Sequence, residues 1–136
     1  MYASIRDALG DEIFFSLYGD WRAAQAGEIR SNCTSDERAV FVATADGAPV
    51  GFVSIWLNAF FERLGVIDII GVSPEHQRQG IAERLTEVAL EHMHKHGMTV
   101  ASVETGGDPG HAPARALYER TGFKLLPIAR YFRTLP

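Results

Sequence analysis

The sequence predicts an α/β domain with a mixed central β-sheet flanked by helices. Two observations carry this. Two strand-type runs, Ala39 to Ala45 and Val50 to Leu57, meet at Asp46-Gly47, a dipeptide that favours a tight hairpin. A third apolar run, Val66 to Val72, ends in V-S-P-E-H-Q-R-Q-G-I-A and gives way to an amphipathic helix, which a strand and another helix follow. A hairpin gives antiparallel pairing and a helical crossover gives parallel pairing, so the sheet is expected to be mixed.

From the start, Ser4 to Asn32 carries Ile13, Phe14, Leu17, Tyr18 and Trp21 at helical spacing, with Gly19 interrupting and Asp20 placed as an N-cap, so two helices are expected. Ala39 to Ala45 and Val50 to Leu57 are rich in strand-forming residues and make the hairpin. Asn58 to Gly65 reads as a loop carrying Phe60 and Phe61. Val66 to Val72 is apolar on both faces except at Asp68, as befits a central strand. The next helix runs from about Gln79 to His96, with Ile81, Leu85, Val88, Ala89 and Met93 as its apolar stripe and Gly97 as its stop. Thr99 to Thr105 is expected as a strand and Ala112 to Arg120 as a helix. Phe123 to Leu126 and Ala129 to Leu135, separated by Pro127, are expected to close the chain as strands. There is no internal repeat, and 136 residues are expected to form one domain.

The strand-to-helix junction is the most informative stretch. A helix start leaves N–H groups without intrahelical partners and carries partial positive charge, so it receives anions. Gly80 permits close approach, while Gln77, Arg78 and Gln79 add donors and Arg78 a full charge. A pyrophosphate suits this junction.

The spacing Gln77-x-x-Gly80-x-Ala82 resembles the Q/R-x-x-G-x-G/A signature of the GNAT N-acetyltransferase superfamily. Downstream, A-P-A-R-A-L-Y-E-R-T-G-F (Ala112 to Phe123) is similar to the family's A-x-x-L-Y-x-x-x-G-F. The resemblance covers about Val40 to Leu135. It implies a GNAT-like fold whose N-terminal strand is short or missing here, since Met1 leads almost directly into helical sequence. It further implies that acetyl-CoA is the co-substrate. Its pyrophosphate would lie against Gln77, Arg78, Gln79, Gly80, Ile81 and Ala82. Its pantetheine arm would pair with main-chain groups around Ile70 and Val72 where Gly71 breaks the strand, and His111 and Ala114 would contribute from the later helix. His111 stands where many members have an asparagine.

Composition narrows the alternatives. With 46% hydrophobic and 22% charged residues the chain is ordinary globular protein. A net charge of −4 and a pI near 5.7 argue against a broad nucleic-acid-binding surface. Cys33 is the only cysteine, which excludes an intrachain disulfide and suits a reducing cytoplasm. The start, M-Y-A-S-I-R-D-A-L-G-D-E, has neither a basic head nor an apolar run, and no stretch approaches a membrane span. A cytoplasmic protein is expected, with no membrane or nucleic-acid partner; a homodimer is compatible.

Two side chains carry the expected chemistry. A carboxylate at Asp68 amid Val66, Ile67, Ile69 and Ile70 needs a hydrogen bond, a cation or a wet cleft. Pairing with Arg63, Arg84 or another cation would be a packing role. In the resembling family an acidic residue on this strand takes the proton from the substrate ammonium, with Glu104 and Glu62 as the alternatives here. Tyr118 is either a partly buried core residue or, as the resemblance implies, the phenol that serves the leaving thiolate.

Other features carry less. His92 and His96 are spaced i, i+4, but H-E-x-x-H is absent and histidines suit the last turn of a helix, so no metal is expected. Cys33 lacks a recognisable base, and G-G-D-P-G (Gly106 to Gly110) reads as a turn that could wall the substrate. The resulting expectation is an acetyl-CoA-dependent N-acetyltransferase acting on a small-molecule or peptide amine. A non-catalytic acyl-CoA-binding sensor is the alternative. Trp56, Phe60, Phe61, Arg130, Tyr131 and Arg133 could line the acceptor side, though such aromatics more often serve core or dimer contacts.

Overall fold

The computed structural model describes residues 2–136. The chain divides into two compact units, one of residues 27–104 and the other of 2–26 with 105–136. Among the described residues no helix is long and apolar enough to cross a membrane.

Three helices come first, α1 (Tyr2–Leu9), α2 (Asp11–Tyr18) and α3 (Trp21–Thr34), where the sequence suggested two. Gly10, at φ 77° and ψ 163°, cannot continue a helix and adds a break. The cap at Asp20 forms as expected, its Oδ1 accepting from Ala23 N at 3.3 Å. The sheet follows with β1 (Ala39–Ala45), β2 (Ala48–Leu57) and β3 (Leu64–Val72); then come α4 (Ile81–Lys95), β4 (Val100–Val103) and α5 (Ala112–Arg120). Asp46 and Gly47 take φ of 52° and 79°, the positive pair of a type I′ hairpin.

The strand order is β1-β2-β3-β4, with β1–β2 and β2–β3 antiparallel and β3–β4 parallel. The sheet is therefore mixed, as its hairpin and helical crossover require. α4 packs on one face across β1, β2 and β3. Leu85, Ala89 and Met93 are buried there, as are Val53, Ile55 and Ile67. Burying each larger aliphatic side chain favours folding by about 1.5–3 kcal/mol. Gly65 admits this packing, since a Cβ there would lie 2.6 Å from Met93 Cγ. On the opposite face, buried Ser54 donates to Asn32 Oδ1 of α3 at 2.7 Å, so the last turns of α3 cover that side with a satisfied polar contact.

Two expectations about the later strands fail. The strand expected over Thr99 to Thr105 is confined to Val100–Val103, and Phe123 to Leu126 and Ala129 to Leu135 form no strand. Leu125, Leu126, Ile128 and Leu135 are exposed there. Strand propensity expresses how well a side chain fits a pleated, half-buried surface, and a segment without a ladder partner gains nothing from it.

Candidate active site

The centre of the candidate site is an irregularity in β3. Ile55 pairs with Ile67 and Ser54 with Ile69, so Asp68 is an extra residue with no partner on β2. The bulge lies at Asp68 and not at Gly71, which pairs regularly with Phe52. A bulge re-aims the side chain it carries, and here it turns a carboxylate out of an otherwise apolar strand. The parallel ladder ends at the same level, because the last β3–β4 pair is Ile67 with Val103. From Asp68 to Val72 no strand among the described residues pairs with the second edge of β3. Ser73 N donates to Val50 O at 2.8 Å, so the backbone of Ser73 points toward β2. Strand alternation then aims the main-chain groups of Ile70 and Val72 at the open edge.

That edge leads to the turn before α4. Arg78 and Gly80 both take left-handed backbone conformations, with φ of 61° and 80°. For arginine this costs about 1–2 kcal/mol, the kind of strain found at binding turns. Gly80 is the N-cap of α4, no side chain caps the helix, and a Cβ on Gly80 would meet nothing within 4 Å. The first N–H groups of α4, at Ile81 and Ala82, thus begin beside open space. Gln77, Arg78 and Gln79 are exposed beside it. The Nε2 of Gln77 donates to Val72 O at 3.1 Å. Its amide secures the turn to the end of β3.

Asp68 does not pair with Arg63 or Arg84. Arg84 instead bonds Glu87 and Glu91 along α4. The partner of Asp68 is Arg38, whose Nε donates to Oδ2 at 2.8 Å, while the guanidinium carbon lies 4.2 Å from the centroid of the Trp56 ring. Trp56 meets Phe60 edge to face, with centroids 5.2 Å apart. Glu104 directly follows β4 and so stands at the end of the same ladder, whereas Glu62 lies exposed in the β2–β3 loop. A shallow apolar groove of about 230 Å³ between β1 and α4, lined by Phe41, Val42, Ile81 and Leu85, opens on the other face of the sheet.

In the second unit, Tyr118 is buried on α5, with its ring 5.8 Å from that of Phe123. Burial raises its pKa above the ordinary phenol value, so the hydroxyl keeps its proton at neutral pH. His111 occupies the N-cap position of α5 without a side-chain capping bond, and helical periodicity sets His111, Ala114 and Tyr118 on one face. His111 Nδ1 lies 2.6 Å from Asp108 Oδ1, and Ser4 Oγ donates to the other oxygen. Arg115 donates to the carbonyls of Gly106 and Asp108 at 2.6 and 2.8 Å, so the G-G-D-P-G segment is a tied turn. Burial opposes the charge of Asp108, but the bonds from Ser4 and His111 outweigh it and hold the carboxyl below its usual range.

Sequence reasoning missed Arg38 and Asp108. Arg38 carries no local signal, because it lies 30 residues from its partner. Asp108 was visible only as part of a turn, although its position three residues before His111 suits a side-chain bond. Among the described residues no three His, Cys, Asp or Glu side chains gather as metal ligands. The rings of His92 and His96 lie tilted against each other with centroids 4.2 Å apart. Burial, then the nearby charges of His96 and Lys95, lower the pKa of His92.

Residues 5–123 match the acetyltransferase (GNAT) family, reaching further toward the N-terminus than the motifs did and stopping before the irregular C-terminal segment. A mycothiol acetyltransferase of Streptomyces griseus subsp. griseus is 33% identical over 99 residues, covering 73% of this chain and 31% of the relative. The chain thus spans about a third of the length of the mycothiol acetyltransferases it matches. An N-acetyltransferase of Bacillus subtilis is 37% identical over 96 residues, covering 62% of this chain and 64% of its own. Among solved structures, aminoglycoside N-acetyltransferase AAC(6')-Iy in complex with CoA shares the fold, with a TM-score of 0.66 at 19% identity over 85% of this chain and 91% of that one. An aminoglycoside acetyltransferase from an uncultured soil metagenomic sample gives 0.63 at 27% identity over 80% and 74%. With the open edge of β3, the glycine-capped start of α4 and a family match over most of its length, the chain belongs to the GNAT family of acetyltransferases.

Proposed function

We propose that this chain transfers an acetyl group from acetyl-CoA to a primary amine by direct attack within a ternary complex. The observation that supports this most is the open edge of β3 leading into the uncapped start of α4. An extended amide-bearing arm ending in a pyrophosphate suits a free strand edge followed by unpaired helix N–H groups. Acetyl-CoA supplies the activated thioester.

The chain's own residues account for the rest. Ile70 and Val72 offer main-chain groups to the arm, and one N–H serves the thioester oxygen. Gly80, Ile81 and Ala82, with Gln77, Arg78 and Gln79, receive the phosphates, and Gln77 also holds the turn. His111 and Ala114 contribute from the same face of α5 as Tyr118. An amine with a pKa of about 10.4 is protonated at neutral pH and cannot attack until it loses that proton. Asp68 accepts it, directly or through water, with Glu104 and Glu62 as the alternative acceptors. Tyr118 serves the leaving sulfur. A phenol is a weaker acid than a thiol, about 10 against 8.5, and burial weakens it further, so the hydroxyl acts chiefly by donating a hydrogen bond to the thiolate.

The acceptor is a small molecule or peptide bearing a primary amine; the mycothiol and aminoglycoside acetyltransferases among the relatives and neighbours favour a small one. The reading is tested by thiol release from acetyl-CoA across a panel of amines, with CoA binding measured separately by calorimetry. One observation favours a second reading, a non-catalytic acyl-CoA-binding module: the carboxylate of Asp68 is engaged by Arg38. CoA binding without turnover on any amine would support that module against the enzyme.

A further inference from the structure

The partners of Asp68 form a site of their own. Arg38 is held from two sides, by a carboxylate 2.8 Å away and by an indole face 4.2 Å away. A carboxylate and an aromatic face together recognise organic cations. The Arg38 side chain is 16% exposed and that of Asp68 28%, so the pair is partly withdrawn from water, where both attractions strengthen. Beyond Trp56 the surface continues as Phe60 and Phe61, 71% and 73% exposed. The bulge at Asp68 thus presents a cation subsite with an apolar apron, and the cation occupying it is the chain's own.

We propose that Arg38 stands in for the ammonium of the acceptor. In the free protein the guanidinium holds Asp68 and the Trp56 face. An acceptor binds by exchanging its ammonium for that guanidinium, with its carbon skeleton lying over Phe60 and Phe61. The acceptor class so selected is a primary amine on an apolar or aromatic skeleton. The exchange leaves the charge at Asp68 balanced, so discrimination falls on how well the incoming skeleton replaces the arginine contacts. The link to acetyl transfer rests on the function proposed above, but the binding step needs neither acetyl-CoA nor turnover.

Trp56 reports the event. Trp21 is the only other tryptophan, so a Trp21→Phe parent isolates the Trp56 fluorescence. Phenethylamine is the probe and 2-phenylethanol its neutral counterpart. Arg38→Gln keeps most of the side-chain length and removes the charge; it is expected to bind phenethylamine at least about tenfold more tightly than the parent and 2-phenylethanol less than about twofold more tightly. Arg38→Lys keeps a cation on a similar stem and is expected to gain no more than about threefold over the parent. Circular dichroism establishes that each variant is folded. Equal or weaker phenethylamine binding in folded Arg38→Gln overturns the proposal, as does an equal gain for both probes, which would report an opened apolar gap. If Arg38→Gln does not fold, a gain of tenfold in Arg38→Lys overturns it and a smaller gain supports it. A tenfold gain in Arg38→Gln without thiol release on any amine leaves the cation subsite standing and removes the acetyl-transfer reading alone.

Discussion

The two ends of α4 provide an internally controlled test of the proposed phosphate turn. Gly80 precedes the helix with φ 80° and Gly97 follows it with φ 81°, and in both cases a Cβ would meet nothing within 4 Å. Gly97 belongs to a C-terminal cap in which its N–H donates to His94 O at 3.1 Å and Met98 N donates to Met93 O at 3.0 Å. Alanine at either position therefore adds the same left-handed strain, about 1–2 kcal/mol, and no collision. Gly80→Ala and Gly97→Ala should each lower stability by that amount, a fall in Tm of about 4 °C per kcal/mol for a chain of this size. Their effects on ligand binding should separate. At Gly80 the new methyl enters the space assigned to the pyrophosphate, so the calorimetric Kd for CoA should rise at least about tenfold, or about 1.4 kcal/mol. Gly97→Ala should leave it within about twofold. Gly80→Val should weaken CoA further, but its branched side chain adds strain of its own, which makes alanine the cleaner probe. Equal CoA affinity in the two folded alanine variants would refute the placement of the pyrophosphate at this helix start.

Tyr118→Phe keeps the buried ring and removes only the hydroxyl, so turnover should fall by at least about tenfold, toward about 10²-fold, with CoA affinity barely changed; wild-type turnover would make Tyr118 a packing residue. Asp68→Asn should shift or abolish the acid-side limb of the kcat/KM profile, with partial recovery at high pH where solvent supplies free amine. A wild-type profile there beside a lost limb in Glu104→Gln or Glu62→Gln would transfer the role of base. Asp108 has a lowered folded-state pKa, so its contribution to stability is complete above about 3.9 and is lost as pH falls through the folded value. Asp108→Asn should therefore flatten the loss of stability below about pH 4 in denaturant titrations, and an unchanged acid slope would show that the bonds from Ser4 and His111 carry no net stabilisation.

Features whose cause is local were legible in the sequence. The hairpin follows from Asp46-Gly47, because few residues accept two consecutive positive φ angles; α4 follows from an apolar stripe bounded by two glycines. The glycine-opened start of α4 was legible for the same reason, since it is a property of adjacent residues. Features that depend on residues distant in the chain emerged only with the folded arrangement. Phe123 to Leu135 has strand composition but no ladder partner, and composition alone supplies no hydrogen bonds. Glycine in the middle of a strand suggested a break at Gly71, whereas register places the extra residue at Asp68, because a bulge is a mismatch between two strands and neither strand encodes it alone. Asp68 itself was marked by its isolation among apolar neighbours. Its partner was not, since an ion pair across 30 residues exists only once β1, β2 and β3 lie side by side.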